Sequence, residues 1–115
     1  MIIKMCGFKN PDDIKYLSSI KVNMVGLVFY KKSPRHISFN KVEKLISLLP
    51  KKITPVAVVV NEEVNKIQIL KNLGINTFQL HGEETPEHCK YLSERFSIRI
   101  IKAISVLKKD DILRA

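Results

Sequence analysis

Long apolar runs are the first thing this 115-residue chain lacks. The longest, Met24 to Tyr30, falls far short of the roughly 20 residues that a helix needs to cross a bilayer. The start, Met1-Ile2-Ile3-Lys4, shows none of the three parts of an export signal: basic start, apolar stretch and small-residue cleavage site. Cysteine is scarce. Cys6 and Cys89 match no zinc-binding spacing, and a reducing compartment keeps such a pair as thiols. These absences predict a cytoplasmic protein that does not engage a membrane. Aromatic residues make up only 7% and are not interleaved with a basic stripe, so a nucleic-acid surface is not expected. No linker, low-complexity tract or second domain interrupts the chain. Residues 1–115 read as one small domain with a core.

Acidic residues are outnumbered, 11 against 20 Lys and Arg, for a net charge of +9. Such an excess suits nucleic acid, a membrane surface or an anionic metabolite. The lysines are scattered over every predicted helix. A solvated face accounts for most of them, and an anionic small molecule is the next reading.

What the chain does have is five short apolar runs, each ending at a polar or reactive residue. Met1 to Met5 stops at Cys6-Gly7, and Met24 to Tyr30 at Lys31-Lys32-Ser33-Pro34-Arg35. Pro55 to Val60 stops at Asn61, Ile75 to Leu80 at His81-Gly82, and Ile98 to Ile101 at Lys102. Three of the four intervals are about 20 to 25 residues, the length of a strand, a returning helix and two loops. Runs such as Val56-Ala57-Val58-Val59-Val60 do not alternate, as expected of strands buried on both faces of a parallel sheet.

Helices fit between the strands. Asn10-Pro11-Asp12-Asp13 opens the first, with Ile14, Leu17 and Ile20 on its apolar side. Ser38 caps the second, where Val42, Leu45, Ile46 and Leu49 share a face and Pro50 ends it. The third opens at Asn61-Glu62-Glu63, carries Val64, Ile67 and Leu70, and ends at Gly74. The fourth opens at Thr85-Pro86-Glu87 and buries Cys89, Leu92 and Phe96, and a fifth begins near Lys108. The prediction is an α/β fold: five parallel strands, four helices and the start of a fifth.

In such sheets the strand ends share one face, where ligands bind. Cys6 there suits a base or nucleophile, or a buried structural thiol. Gly7 lets a ligand approach the backbone. Arg35, in a proline-stiffened loop, suits bidentate binding of carboxylate or phosphate, or is a surface arginine. Gln79 and His81 fall on one side of the fourth strand, with His81 at the mouth of the site or satisfied in the core. Lys102 reads as solvated rather than as an anion ligand, and Asn61 as the cap of the third helix.

Lys4-Met5-Cys6-Gly7, Val25 to Tyr30 with Ser33-Pro34-Arg35, Val58-Val59-Val60-Asn61 and Gln79-Leu80-His81-Gly82-Glu83-Glu84 occur in that order along the chain. Together they resemble the phosphoribosylanthranilate isomerase family over the whole sequence, and Ile101-Lys102-Ala103 fits its fifth strand. Phe8-Lys9 and Lys31 depart from its usual pattern. The resemblance implies a (β/α)8 barrel of tryptophan biosynthesis. It implies an Amadori rearrangement of N-(5-phosphoribosyl)anthranilate to 1-(o-carboxyphenylamino)-1-deoxyribulose 5-phosphate, with no cofactor and no metal. It further implies that Cys6 is the general base, that Arg35 binds the anthranilate carboxylate, and that His81 lines the substrate site.

A full barrel takes about 200 residues or more. The family's general acid, an aspartate ending strand six, and its phosphate loops after strands seven and eight have no counterpart here. The expectation is an amino-terminal part of the barrel, inactive alone, with open sheet edges that invite self-association or a carboxy-terminal half. A non-catalytic half-barrel, either a degenerate remnant or a weak binder of an anionic ligand, is the alternative, and a basic nucleic-acid module comes third.

Overall fold

The computed structural model describes residues 4–6, 22–30, 32 and 37–103. The predicted first helix, Gly7, the Ser33-Pro34-Arg35 loop and the predicted fifth helix lie outside the described residues. Among the described residues, five strands form one sheet: β1 (Lys4–Cys6), β2 (Met24–Val28), β3 (Thr54–Val59), β4 (Thr77–Leu80) and β5 (Arg99–Lys102). Three helices are described, α1 (Phe39–Leu48), α2 (Val64–Asn72) and α3 (Pro86–Phe96).

All pairings are parallel and the strand order is β1-β2-β3-β4-β5. A doubly wound sheet reverses its order part-way and carries helices on both faces. This sheet steps in one direction only, as barrel sheets do. The ladders run one residue past the strands on β2 and β4: Phe29 N–H donates to Val58 O (3.0 Å) and His81 N–H to Val59 O (2.9 Å).

Alternation along the strands separates two faces. Val25, Leu27, Phe29, Ala57, Val59, Phe78 and Leu80 join Val42, Leu45, Ile67, Leu70, Leu92 and Phe96 of the helices in one core cluster. Burying each such large side chain fully is worth roughly 1.5–3 kcal/mol. The opposite face carries Val56 (0% exposed) and Thr77 (2%), so it too is shielded at the centre. Shielding weakens toward β5, where Ile101 is half-buried and Arg99 exposed.

The helix ends follow local chemistry, with two corrections. Thr85 Oγ1 accepts from His88 N–H (3.1 Å), Pro86 opens α3, and Glu87 lies in its first turn, as the sequence predicts. Gly74, after the end of α2, has φ +109°, a backbone that side chains disfavour. Leu49 is extended because Pro50 follows it. Ser38 does stand at the N-cap of α1, but its hydroxyl donates to the Asn40 carboxamide and caps no helix N–H. Asn61 is not the cap of α2, a position that Glu63 takes. Cys89 is half-buried against the core rather than within it.

Candidate functional site at the carboxy-terminal end of the sheet

Because the strands are parallel, their last residues gather at one rim. Cys6 ends β1 and pairs in register with Gly26, which carries no side chain beside it. Gln79 lies between Val58 and Ile101 in register. It is half-buried, on the face away from the helices, because its neighbours Phe78 and Leu80 enter the helix-side core. His81 continues that alternation and is exposed at the rim. Tyr30 and Lys32, past β2, are exposed. Gly7 and Arg35 are outside the described residues, so the structure brings Cys6, Gln79 and His81 to the same end of the sheet without placing Arg35 beside them.

Among the described residues, the hydrogen bonds at the rim converge on Glu84, to which the sequence assigns no role. Its Oε2 accepts from Asn61 N–H at 2.7 Å. Its Oε1 accepts from Gly82 N–H at 2.9 Å and from Lys102 Nζ at 2.9 Å. Lys102 Nζ also donates to the Gly82 carbonyl at 2.5 Å, and Glu83 N–H donates to Asn61 Oδ1 at 2.9 Å. The Glu84 side chain is 3% exposed and that of Lys102 28%. Asn61 adopts φ +47°, a left-handed conformation that asparagine tolerates better than most residues.

Burial by itself raises the Glu84 carboxyl pKa. The Lys102 ammonium, with backbone N–H groups that include those of Asn61 and Gly82, outweighs that effect and holds the carboxyl below its ordinary value of 4.5. Glu84 is therefore a carboxylate at neutral pH, accepting only. Lys102 is correspondingly neither a solvated lysine nor an anion ligand in waiting, because Glu84 engages its charge. Asn61 departs from its expected capping role for a related reason: its carboxamide is turned toward the β4–α3 loop. The sequence signal for this network was a pair of acids straight after His81-Gly82, opposite a lysine ending the next strand. Periodicity does not register such a cluster. Among the described residues, no group of three His, Cys, Asp or Glu side chains is arranged to hold a metal ion.

A sheet wound in one direction, with its polar groups past the strand ends, defines part of a (β/α)8 barrel. A family model for N-(5'phosphoribosyl)anthranilate (PRA) isomerase matches residues 3–114. The chain belongs to that family. It is 42% identical over 106 residues to an N-(5'-phosphoribosyl)anthranilate isomerase of Staphylococcus epidermidis, covering 90% of this chain and 51% of the relative. The crystal structure of phosphoribosyl anthranilate isomerase from Thermotoga maritima superimposes with a TM-score of 0.90 at 37% identity, covering 99% of this chain and 56% of that one. Another phosphoribosyl anthranilate isomerase structure, in complex with reduced 1-(o-carboxyphenylamino)-1-deoxyribulose 5-phosphate, also scores 0.90 at 37% identity, with 99% and 59% coverage. The chain thus spans about half the length of the curated relatives it matches.

Proposed function

We propose that these residues form the amino-terminal part of a phosphoribosylanthranilate isomerase, which rearranges N-(5-phosphoribosyl)anthranilate to 1-(o-carboxyphenylamino)-1-deoxyribulose 5-phosphate in the cytoplasm. The observation that carries this reading is the 0.90 superposition on a relative whose crystal holds the reduced form of that product. The rim also has the polar character that such a ligand requires.

In this reading a general acid first protonates the ribose ring oxygen, and the ring opens to a Schiff base. Cys6, as thiolate, then takes the proton from C2′, and the resulting enol becomes the ketone. Gly7 allows the substrate close to the backbone, Gln79 and His81 line its path, and Arg35 pairs with the anthranilate carboxylate. The general acid and the phosphate cradle belong to the portion of the relatives that these residues do not span.

Turnover of N-(5-phosphoribosyl)anthranilate by the intact protein, followed by the loss of substrate fluorescence, tests the proposal. Cys6→Ser should lower kcat by orders of magnitude with little change in KM, since it removes a proton-transfer group. Cys89→Ala, against the core, should keep its activity. Near-normal turnover in Cys6→Ser would remove Cys6 from the mechanism.

A further inference from the structure

We infer that Glu84 is a positioning residue: its carboxylate ties the ends of β3, β4 and β5 together and so sets where His81 stands at the rim. In its kinetic consequences this rests on the isomerase reading, but the geometry stands apart from it.

Three donors from three different elements converge on the one carboxylate. Asn61 N–H follows β3, Gly82 N–H follows β4, and the Lys102 ammonium ends β5, at 2.7 to 2.9 Å. Two further bonds close the figure, Lys102 Nζ to Gly82 O and Glu83 N–H to Asn61 Oδ1. Gly82 is therefore held at both its N–H and its carbonyl. His81, one residue earlier, is held at its own N–H by Val59 O. Backbone bonds on both sides of the imidazole-bearing residue leave its main chain little freedom, although the side chain is exposed.

Position 84 carries this role and position 83 does not. Glu83 is exposed and joins the network through its N–H. Glutamine cannot stand in for Glu84 either. All three partners are donors, so a carboxamide must turn its NH2 toward one of them. The buried setting makes an unmet donor costly.

The test uses Glu84→Gln in the intact protein, read in two ways. Amide hydrogen exchange at Asn61 and Gly82 should quicken about tenfold or more, while amides inside β3 keep their protection, marking a local opening. Lys102→Met, which leaves the carboxylate its two N–H donors, should quicken Gly82 more than Asn61. In the second arm, kcat/KM is measured for Glu84→Gln, His81→Ala and the double variant. A residue acting through His81 should cost about tenfold alone and add little once His81 is gone. Unchanged exchange at Asn61 and Gly82 overturns the inference, as does a double variant whose losses multiply. If the unaltered protein does not turn over the substrate, the isomerase reading falls, and the exchange arm still decides whether Glu84 holds the rim.

Discussion

The carboxamide of Asn61 fills the space that a β-carbon on Gly82 would need: its Oδ1 stands 2.7 Å from that position and its Cγ 2.9 Å. The carboxamide is not free to yield, because Oδ1 accepts from Glu83 N–H and the Asn61 backbone is left-handed. Gly82→Ala should therefore destabilise the protein by about 1–3 kcal/mol in urea unfolding. Adding Asn61→Gly should recover most of that loss, since glycine removes the colliding atoms and suits the positive φ. A double variant as unstable as Gly82→Ala would place the clash elsewhere.

Stability should carry an acid-side dependence traceable to Glu84. Its folded carboxyl titrates below 4.5, so between the folded and unfolded values the unfolded chain binds more protons. The contribution is complete well above pH 4.5 and is lost as the pH falls through the folded value. Urea midpoints of the unaltered protein and Glu84→Gln should differ most at neutral pH and draw together in acid. A gap that stays constant down to acid pH would assign the dependence to other carboxyls.

Arg35→Lys should weaken substrate binding by about tenfold or more, since lysine cannot make the planar two-point contact with a carboxylate. A substrate analogue without the anthranilate carboxylate separates the causes. Its affinity should barely respond to the substitution, and an equal loss for both ligands would mean that Arg35 does something else.

A polypeptide of these 115 residues, expressed by itself, should show no measurable isomerase activity and should self-associate on size-exclusion chromatography. Among the described residues β1 pairs only with β2 and β5 only with β4, and unpaired edges of a parallel sheet recruit other strands. Mixing it with the remaining part of a relative's barrel should restore some turnover. A dispersed monomer that turns over substrate unaided would contradict this expectation.

The scaffold was legible because it follows from periodicity and punctuation. The runs ending at Cys6, Asn61, His81 and Lys102 became strand ends, and Thr85-Pro86 and Gly74 marked helix boundaries where expected. The rim was less legible. Asn61 looked like a helix cap because asparagine before two acids usually is one. Its actual partner, the Glu83 N–H, lies 22 residues away and is reached only once β3 and β4 are side by side. Glu84 and Lys102 are 18 residues apart and meet for the same reason. Local patterns report on neighbours within a turn or a strand, whereas a carboxylate that gathers donors from the ends of three strands is a property of the assembled sheet.

The one-directional strand order also bears on how the chain comes off the ribosome. Lys4 lies beside Met24, Met24 beside Thr54, and Thr77 beside Arg99, so each strand pairs with the one made just before it. Pairing between consecutive strands keeps these separations as small as a parallel sheet allows, although each still closes a loop and parallel sheets are slow to form. It also lets assembly proceed in the order of synthesis, amino-terminal segments first. The Glu84 clasp is then the exception: its lysine arrives last, and the β4–α3 loop gains that ammonium only after β5 has been made.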